Sequence, residues 1–283
     1  MKLKEHLYGK SQVRVTRLDR TKAPHRVLVA SVDIALEGAF EPSYTDGDNR
    51  SVVATDTMKN TVYVLARRYG DRTAEQLAMR LAEHFIDEYE HVEAATVDVE
   101  EELWTPVRVG DRRYDDAFSR RGPENAVATA SASPEGTLVT GGLVGIQVMK
   151  TSKSGFSNFH EDEYRTLADT DDRLFATTVD AQWRYHDDAA EFDADDFYRT
   201  RSKVRGALLE TFAEHESLSV QQTLFEMGTA ALERCGVISE ISLVMPNQHH
   251  LLVDLAVFGL DNDNEVFVGT NEPFGHIEAT VSR

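Results

Sequence analysis

Three short polar segments carry the side chains most able to do chemistry. Ala54-Thr55-Asp56-Thr57-Met58-Lys59-Asn60 follows the turn-forming run Asp46-Gly47-Asp48-Asn49 and reads as a helix start. The plainer account is that Thr55 and Asp56 cap the free amides of that helix. The functional account is that those amides and the Thr55 hydroxyl receive an anionic or carbonyl-rich ligand. Ser219-Val220-Gln221-Gln222 poses the same choice at a second helix. Gln221 is either an ordinary first-turn residue or an amide able to pair with an adjacent carbonyl and N–H of a heterocycle. Pro246-Asn247-Gln248-His249 lies between strand-like stretches, where a polar hairpin turn is the simplest account. His249 and His250 are neighbours on a strand and face opposite ways, so they are poorly arranged to share one metal ion. No dinucleotide-binding Gly-x-Gly-x-x-Gly follows a strand, and neither a phosphate-binding Gly-Lys-Ser/Thr loop nor a Gly-x-Ser-x-Gly elbow occurs.

The elements that must position these residues repeat. Lys10–Asp19 and Arg26–Glu37 read as strands, the second with Leu28, Ala30, Val32, Ile34 and Leu36 at period two. Two helical patterns follow. Ser51–Tyr69 carries Met58, Val62, Leu65 and Tyr69, and Thr73–Tyr89 carries Leu77, Leu81, Phe85 and Tyr89. Two further strand-like stretches, one with Val97, Val99 and Leu103, close the first half. In the second half Thr137–Met149 and Leu174–Tyr185 read as strands, and Ala194–His215 as a helix. Another helix begins at Ser219, with Gln222 in capping-box position, and ends before Gly236 as a C′ residue. Ile238–Met245 and Leu251–Phe258 are the last strands. The plan is ββααββ twice, with domains expected at 1–134 and 135–283. Antiparallel sheets with helices on one face leave open edges, which a symmetric oligomer could close into a larger barrel.

Composition bounds the function. With 283 residues, one or two domains can each bury a core. The 30 basic and 49 acidic residues leave a net charge of −19, the wrong sign for a nucleic-acid scaffold. No run of about 18 uncharged apolar residues could span a membrane, and the N-terminus lacks the apolar run of a secretory signal. The single Cys235 excludes an intrachain disulfide and a Cys-built metal site. The basic residues are 8 Lys and 22 Arg. A Lys-poor, acidic surface suits a salt-rich cytoplasm, while GC-rich codon usage explains the Arg bias equally well.

Read together, the segments resemble one family. Tyr8-Gly9-Lys10 with Val13-Arg14-Val15, and Val53 through Asn60, are similar to urate oxidase (uricase). So are Phe156-Ser157-Asn158-Phe159, Asp162 through Leu167, and Asp172-Arg173. Ser219-Val220-Gln221 and Leu243 through His249 complete the set, in family order over nearly the whole chain. The resemblance implies the α+β tunnelling fold (T-fold), built of tandem ββααββ domains. It implies a homotetramer whose strands form a barrel, with active sites shared between subunits. It also implies oxidation of urate by O2 and water to 5-hydroxyisourate and hydrogen peroxide, without metal or organic cofactor.

By that resemblance Phe156 stacks on the purine, and Arg173 grips one edge with two parallel N–H bonds, a fork that Lys lacks. Gln221 and the Val220 amide meet the opposite edge, while Leu167 and Ile277 are apolar walls. Thr55 and the Asp56 amide come from the neighbouring subunit. Lys10, Thr55 and His249 handle protons, and Asn247 with Thr55 holds O2 or water above the ring. Gln248 and His250 stand where the family more often has Lys and an aromatic. Val281-Ser282-Arg283 lacks the Ser-Lys-Leu tail of peroxisomal relatives, so a cytoplasmic, prokaryotic setting is expected. Two rivals remain: a tunnelling-fold enzyme of cyclohydrolase type, which needs a metal or a Cys nucleophile, and a non-catalytic purine binder.

Overall fold

The structure, a computed structural model, describes residues 2–70, 72–186, 189 and 191–283. Its elements are β1 (Tyr8–Asp19), β2 (Arg26–Gly38), a short α1 (Glu41–Thr45), α2 (Thr55–Tyr69), α3 (Ala74–Glu88), β3 (Val92–Val109) and β4 (Arg112–Ser133). They continue as β5 (Gly136–Lys150), β6 (Phe175–Tyr185), α4 (Ala194–Glu214), α5 (Val220–Arg234), β7 (Ile238–Val244), β8 (Asn247–Leu252), β9 (Phe267–Gly275) and β10 (Glu278–Ser282). This is the expected α+β class, the doubled ββααββ order with α1, β9 and β10 added. The chain forms two compact units, residues 1–143 with 182–201 and residues 144–181 with 202–283. No helix among the described residues is long and apolar enough to cross a membrane.

In the first unit β1, β2, β3 and β4 pair antiparallel in that order. Strand alternation selects the inner face: Leu28, Ala30, Val32, Ile34 and Leu36 of β2 are buried, as are Ala95, Val97 and Val99 of β3. α2 lies on β1, and α3 on β3 and β4, burying Met58, Val62 and Leu65 from one helix and Leu77, Leu81 and Phe85 from the other. α2 begins at Thr55, later than its apolar period suggests, because residues 52–54 form the extended approach to the helix. A buried ionic cluster lies here. Arg201 of α4 donates to Glu75 at 2.9 Å and to Glu101 at 3.2 Å, and the Tyr185 hydroxyl donates to Glu75 at 3.2 Å. Burial pushes the Glu101 carboxyl up, against the pull of Arg201.

In the second unit β5, β6, β7 and β10 are neighbours in that order, and β8 pairs with β9. α5 packs on β7 and β10, with Gly228 beneath Val281, where a Cβ would come within 2.7 Å of the Val281 side chain. The last expected strand is displaced. Pairing starts at Asn247 and ends at Leu252, so Pro246-Asn247-Gln248-His249 runs into a strand rather than forming a hairpin turn. Residues 256–258 form a 3-10 turn instead, because the Asp254 carboxylate takes the Ala256 amide. The Asn262 amide then ties Val253 O to Val266 O. α5 ends at Arg234, but Gly236 keeps a negative φ. The Arg283 guanidinium satisfies Leu232 O, Cys235 O and Ile238 O, so no left-handed glycine is required there.

Candidate active site

A cavity of about 350 Å³ opens in the second unit, within the size range of small-ligand pockets. The loop after β5 supplies its aromatic wall. Phe156 exchanges backbone hydrogen bonds with Thr170, at 2.7 and 3.0 Å, which pins the ring's position. Phe159 stacks on Phe156 at 4.7 Å between centroids and 9° between planes. The Arg165 guanidinium lies 4.0 Å from the Phe159 ring and is itself tied to Glu161 and Asp169. One face of the Phe156 platform is therefore occupied by protein.

Arg173 enters the same cavity. Its backbone N–H donates to Ser154 O at 2.9 Å and its Nε to Ser154 Oγ at 3.3 Å. Its Nη2 is buried and has no partner. Burial lowers the guanidinium pKa, yet an arginine remains charged at neutral pH. An unanswered, positively charged donor beside an aromatic platform costs free energy until an acceptor arrives.

α5 provides the opposite edge. Ser219 caps the helix by accepting from Gln222 N at 3.1 Å, and Gln222 Oε1 reaches back to accept from Leu218 N at 3.2 Å. Gln222 is thus spent on the cap, which leaves the exposed Gln221 beside the buried Val220 at the cavity wall. Leu167 and Ile277 add apolar surface, Ile277 from the link between β9 and β10. Asn247 and His249 reach the cavity from β8, and so does His250. The β8–β9 register breaks between Asn247 and His249, whereas His249 and His250 pair in unbroken succession with Thr270 and Gly269. Among the described residues no cluster of three or more His, Cys, Asp or Glu is placed to hold a metal ion.

Lys10, Thr55 and Asp56 form a second group, in the first unit. The pairing of β1 with β2 slips between Lys10 and Val13. Gln12 takes a φ of 60° there, and its amide donates to Asp33 at 2.8 Å. Such a bulge re-aims the side chain beside it, here Lys10. The Tyr8 hydroxyl accepts from Val53 N at 2.8 Å and donates to Val53 O at 3.2 Å, joining the start of β1 to the approach of α2. At α2 the capping account fails. Ala54 is the N-cap and no side chain caps the helix. The Asp56 carboxylate turns instead to Lys59 and Asn60, and Lys59 first, with Lys10 a smaller contributor, holds its pKa below the usual range. Thr55 and Asp56 are exposed at a helix end with free amides.

Ser154 and Thr170 lie outside the expected set, because small hydroxyls carry no periodic signal. The backing role of Phe159 was visible only as spacing from Phe156.

An aromatic ring, a guanidinium and an amide thus line one cavity of an α+β protein. The Uricase family model matches residues 6–131 and 139–278. The uricase of Arthrobacter globiformis is 42% identical over 281 residues, covering 99% of this chain and 90% of that one. An Arabidopsis thaliana uricase is 37% identical over 292 residues, covering 98% and 94%. The crystal structure of the Arthrobacter globiformis uricase superposes with a TM-score of 0.92 at 41% identity, over 100% of this chain and 95% of that one. The structure of a uricase from Bacillus fastidious gives 0.87 at 26%, over 99% and 94%. The chain belongs to the uricase family.

Proposed function

We propose that this enzyme oxidises urate with O2 and water to 5-hydroxyisourate and hydrogen peroxide, using no metal or organic cofactor. The observation that carries the reading is the Arg173 guanidinium lining one cavity together with Phe156 and Gln221. Urate is flat, anionic and edged with alternating acceptors and donors. It stacks on Phe156, takes the Arg173 fork on one edge and pairs with Gln221 and the Val220 amide on the other.

Lys10, Thr55 and Asp56 come from a second copy in a homotetramer, where the uncapped amides of α2 face the five-membered ring. Two features support this assembly: the exposure of Thr55 and Asp56, and the apolar surface at Val257, Phe258 and Leu260 beyond β8. The division into T-fold domains at 1–134 and 135–283 belongs to the same proposal. It is supported by the turn between β4, ending at Ser133, and β5, starting at Gly136.

Lys10, relayed by Thr55 and His249, removes a proton from urate. The electron-rich dianion passes one electron to O2, which Asn247 and Thr55 hold over the ring. The radical pair recombines at C5 as a hydroperoxide, and water displaces hydroperoxide, which leaves protonated as hydrogen peroxide. The test is loss of urate absorbance with matching O2 uptake in chelator-treated buffer. No uptake refutes the proposal. Lys10→Ala or Thr55→Ala should reduce turnover by roughly 10²–10⁴-fold.

A further inference from the structure

The two polar edges of the cavity sit on different stretches of chain, and a backbone bridge flanked by buried hydroxyls joins them. Ser154, which holds Arg173 at both its amide and its Nε, forms a parallel bridge with Ser217. Across that bridge Gly155 N donates to Ser217 O at 2.8 Å and Ser217 N donates to Lys153 O at 2.9 Å. The Thr223 hydroxyl donates to Ser217 Oγ at 2.8 Å, and Ser217 Oγ donates to Ser219 O at 3.2 Å. Ser219 is the N-cap of α5, one turn of which carries Val220 and Gln221. Ser154, Ser217 and Thr223 are 1%, 0% and 1% exposed, so water does not compete for these bonds. A path of hydrogen bonds, with backbone groups as its middle link, therefore runs from the Arg173 guanidinium to the helix turn that carries Gln221.

We propose that the Ser154–Ser217–Thr223 hydroxyl set is a caliper that holds the separation between Arg173 and Gln221, and so selects purines whose two edges match it. None of the three touches the cavity; they are positioning residues acting through Arg173 and α5. Ser154 aims the guanidinium by occupying Nε, which orients its outer edge toward the ligand. Thr223 and Ser217 keep the first turn of α5 from sliding along the 154–156 segment. Because the caliper acts on the bound ligand and its transition state alike, its loss weakens binding uniformly and leaves the chemical step alone. The proposal rests on the urate-binding reading of the cavity.

The full-length protein is assayed by O2 uptake over a range of urate concentrations. Ser154→Ala and Thr223→Val should each raise KM about three- to tenfold, the loss of roughly one hydrogen bond, with kcat within about twofold of wild type. Thr223→Ser, which keeps the hydroxyl, should restore the wild-type KM. A purine inhibitor with hydrogen in place of the acceptor facing Arg173 should bind Ser154→Ala and wild type equally well. A lowered Tm with KM unmoved marks a merely structural role and overturns the proposal, as does an equal loss of affinity for both ligands. If Thr223→Val does not fold, Ser154→Ala decides alone, since it removes a single oxygen. A wild-type protein that consumes no O2 with urate defeats the reading of the site itself. An active wild type whose KM the substitutions do not move defeats only the caliper.

Discussion

Gly9 offers the sharpest test of how the backbone aims Lys10. A Cβ on Gly9 would lie 1.7 Å from Ile34 O and 2.7 Å from Ile34 C, both backbone atoms of the paired strand. Neither can swing away as a side-chain tip can. Restoring a 3.0 Å contact requires β1 to lift from β2 by at least about 1.3 Å at the residue before Lys10. Overpacking of this kind costs about 1–3 kcal/mol. The functional cost is larger, because a reacting group displaced by about 1 Å loses on the order of 10²-fold in rate. Gly9→Ala should therefore yield a folded protein with a modestly lowered Tm and turnover reduced by roughly two orders of magnitude. Calorimetry and O2-uptake kinetics on the same preparation measure both. Wild-type turnover in a folded Gly9→Ala protein refutes the claim that the β1 geometry places Lys10 for chemistry.

Three other outcomes are expected. Ser219→Ala removes the α5 cap, costs about 1 kcal/mol and lowers Tm by about 2–4 °C. It should also raise KM for urate through Gln221, and an unchanged KM disconnects the cap from the site. Burial raises the Glu101 carboxyl above its ordinary 4.5, so the folded protein binds that proton more tightly than the unfolded chain. Folding then takes up a proton between 4.5 and the raised value, and this group's contribution to stability falls as pH rises through that window. Relative to Glu101→Gln, wild-type Tm should drop as pH is raised from 4.5, and parallel profiles contradict this. The net charge of −19 predicts a Tm that climbs in molar KCl as self-repulsion is screened, and a flat or falling melting curve series excludes it.

Much of the scaffold was legible in the sequence because burial leaves a period. Leu28 through Leu36 at every second position, and Leu77, Leu81 and Phe85 along one stripe, are the residues that the first unit encloses. Where an element is exposed, no period exists to read. β10, whose Glu278, Ala279, Thr280 and Ser282 are all exposed, is a strand only because β7 offers it an edge. β8 differs from the expected strand for a second reason: its partner β9 lies fifteen residues further along, past a loop closed by Asn262. Family likeness pointed to candidate site residues, but not to the groups that support them.

The amino-acid sequence by itself determined the α+β class, the repeat order and the types of groups available for catalysis, because these follow from periodicity and side-chain chemistry. Only the tertiary structure decided that no side chain caps α2, and that Arg173 keeps one donor unanswered. Those are competitions between neighbouring hydrogen-bond partners, settled by distances that the folded chain alone imposes.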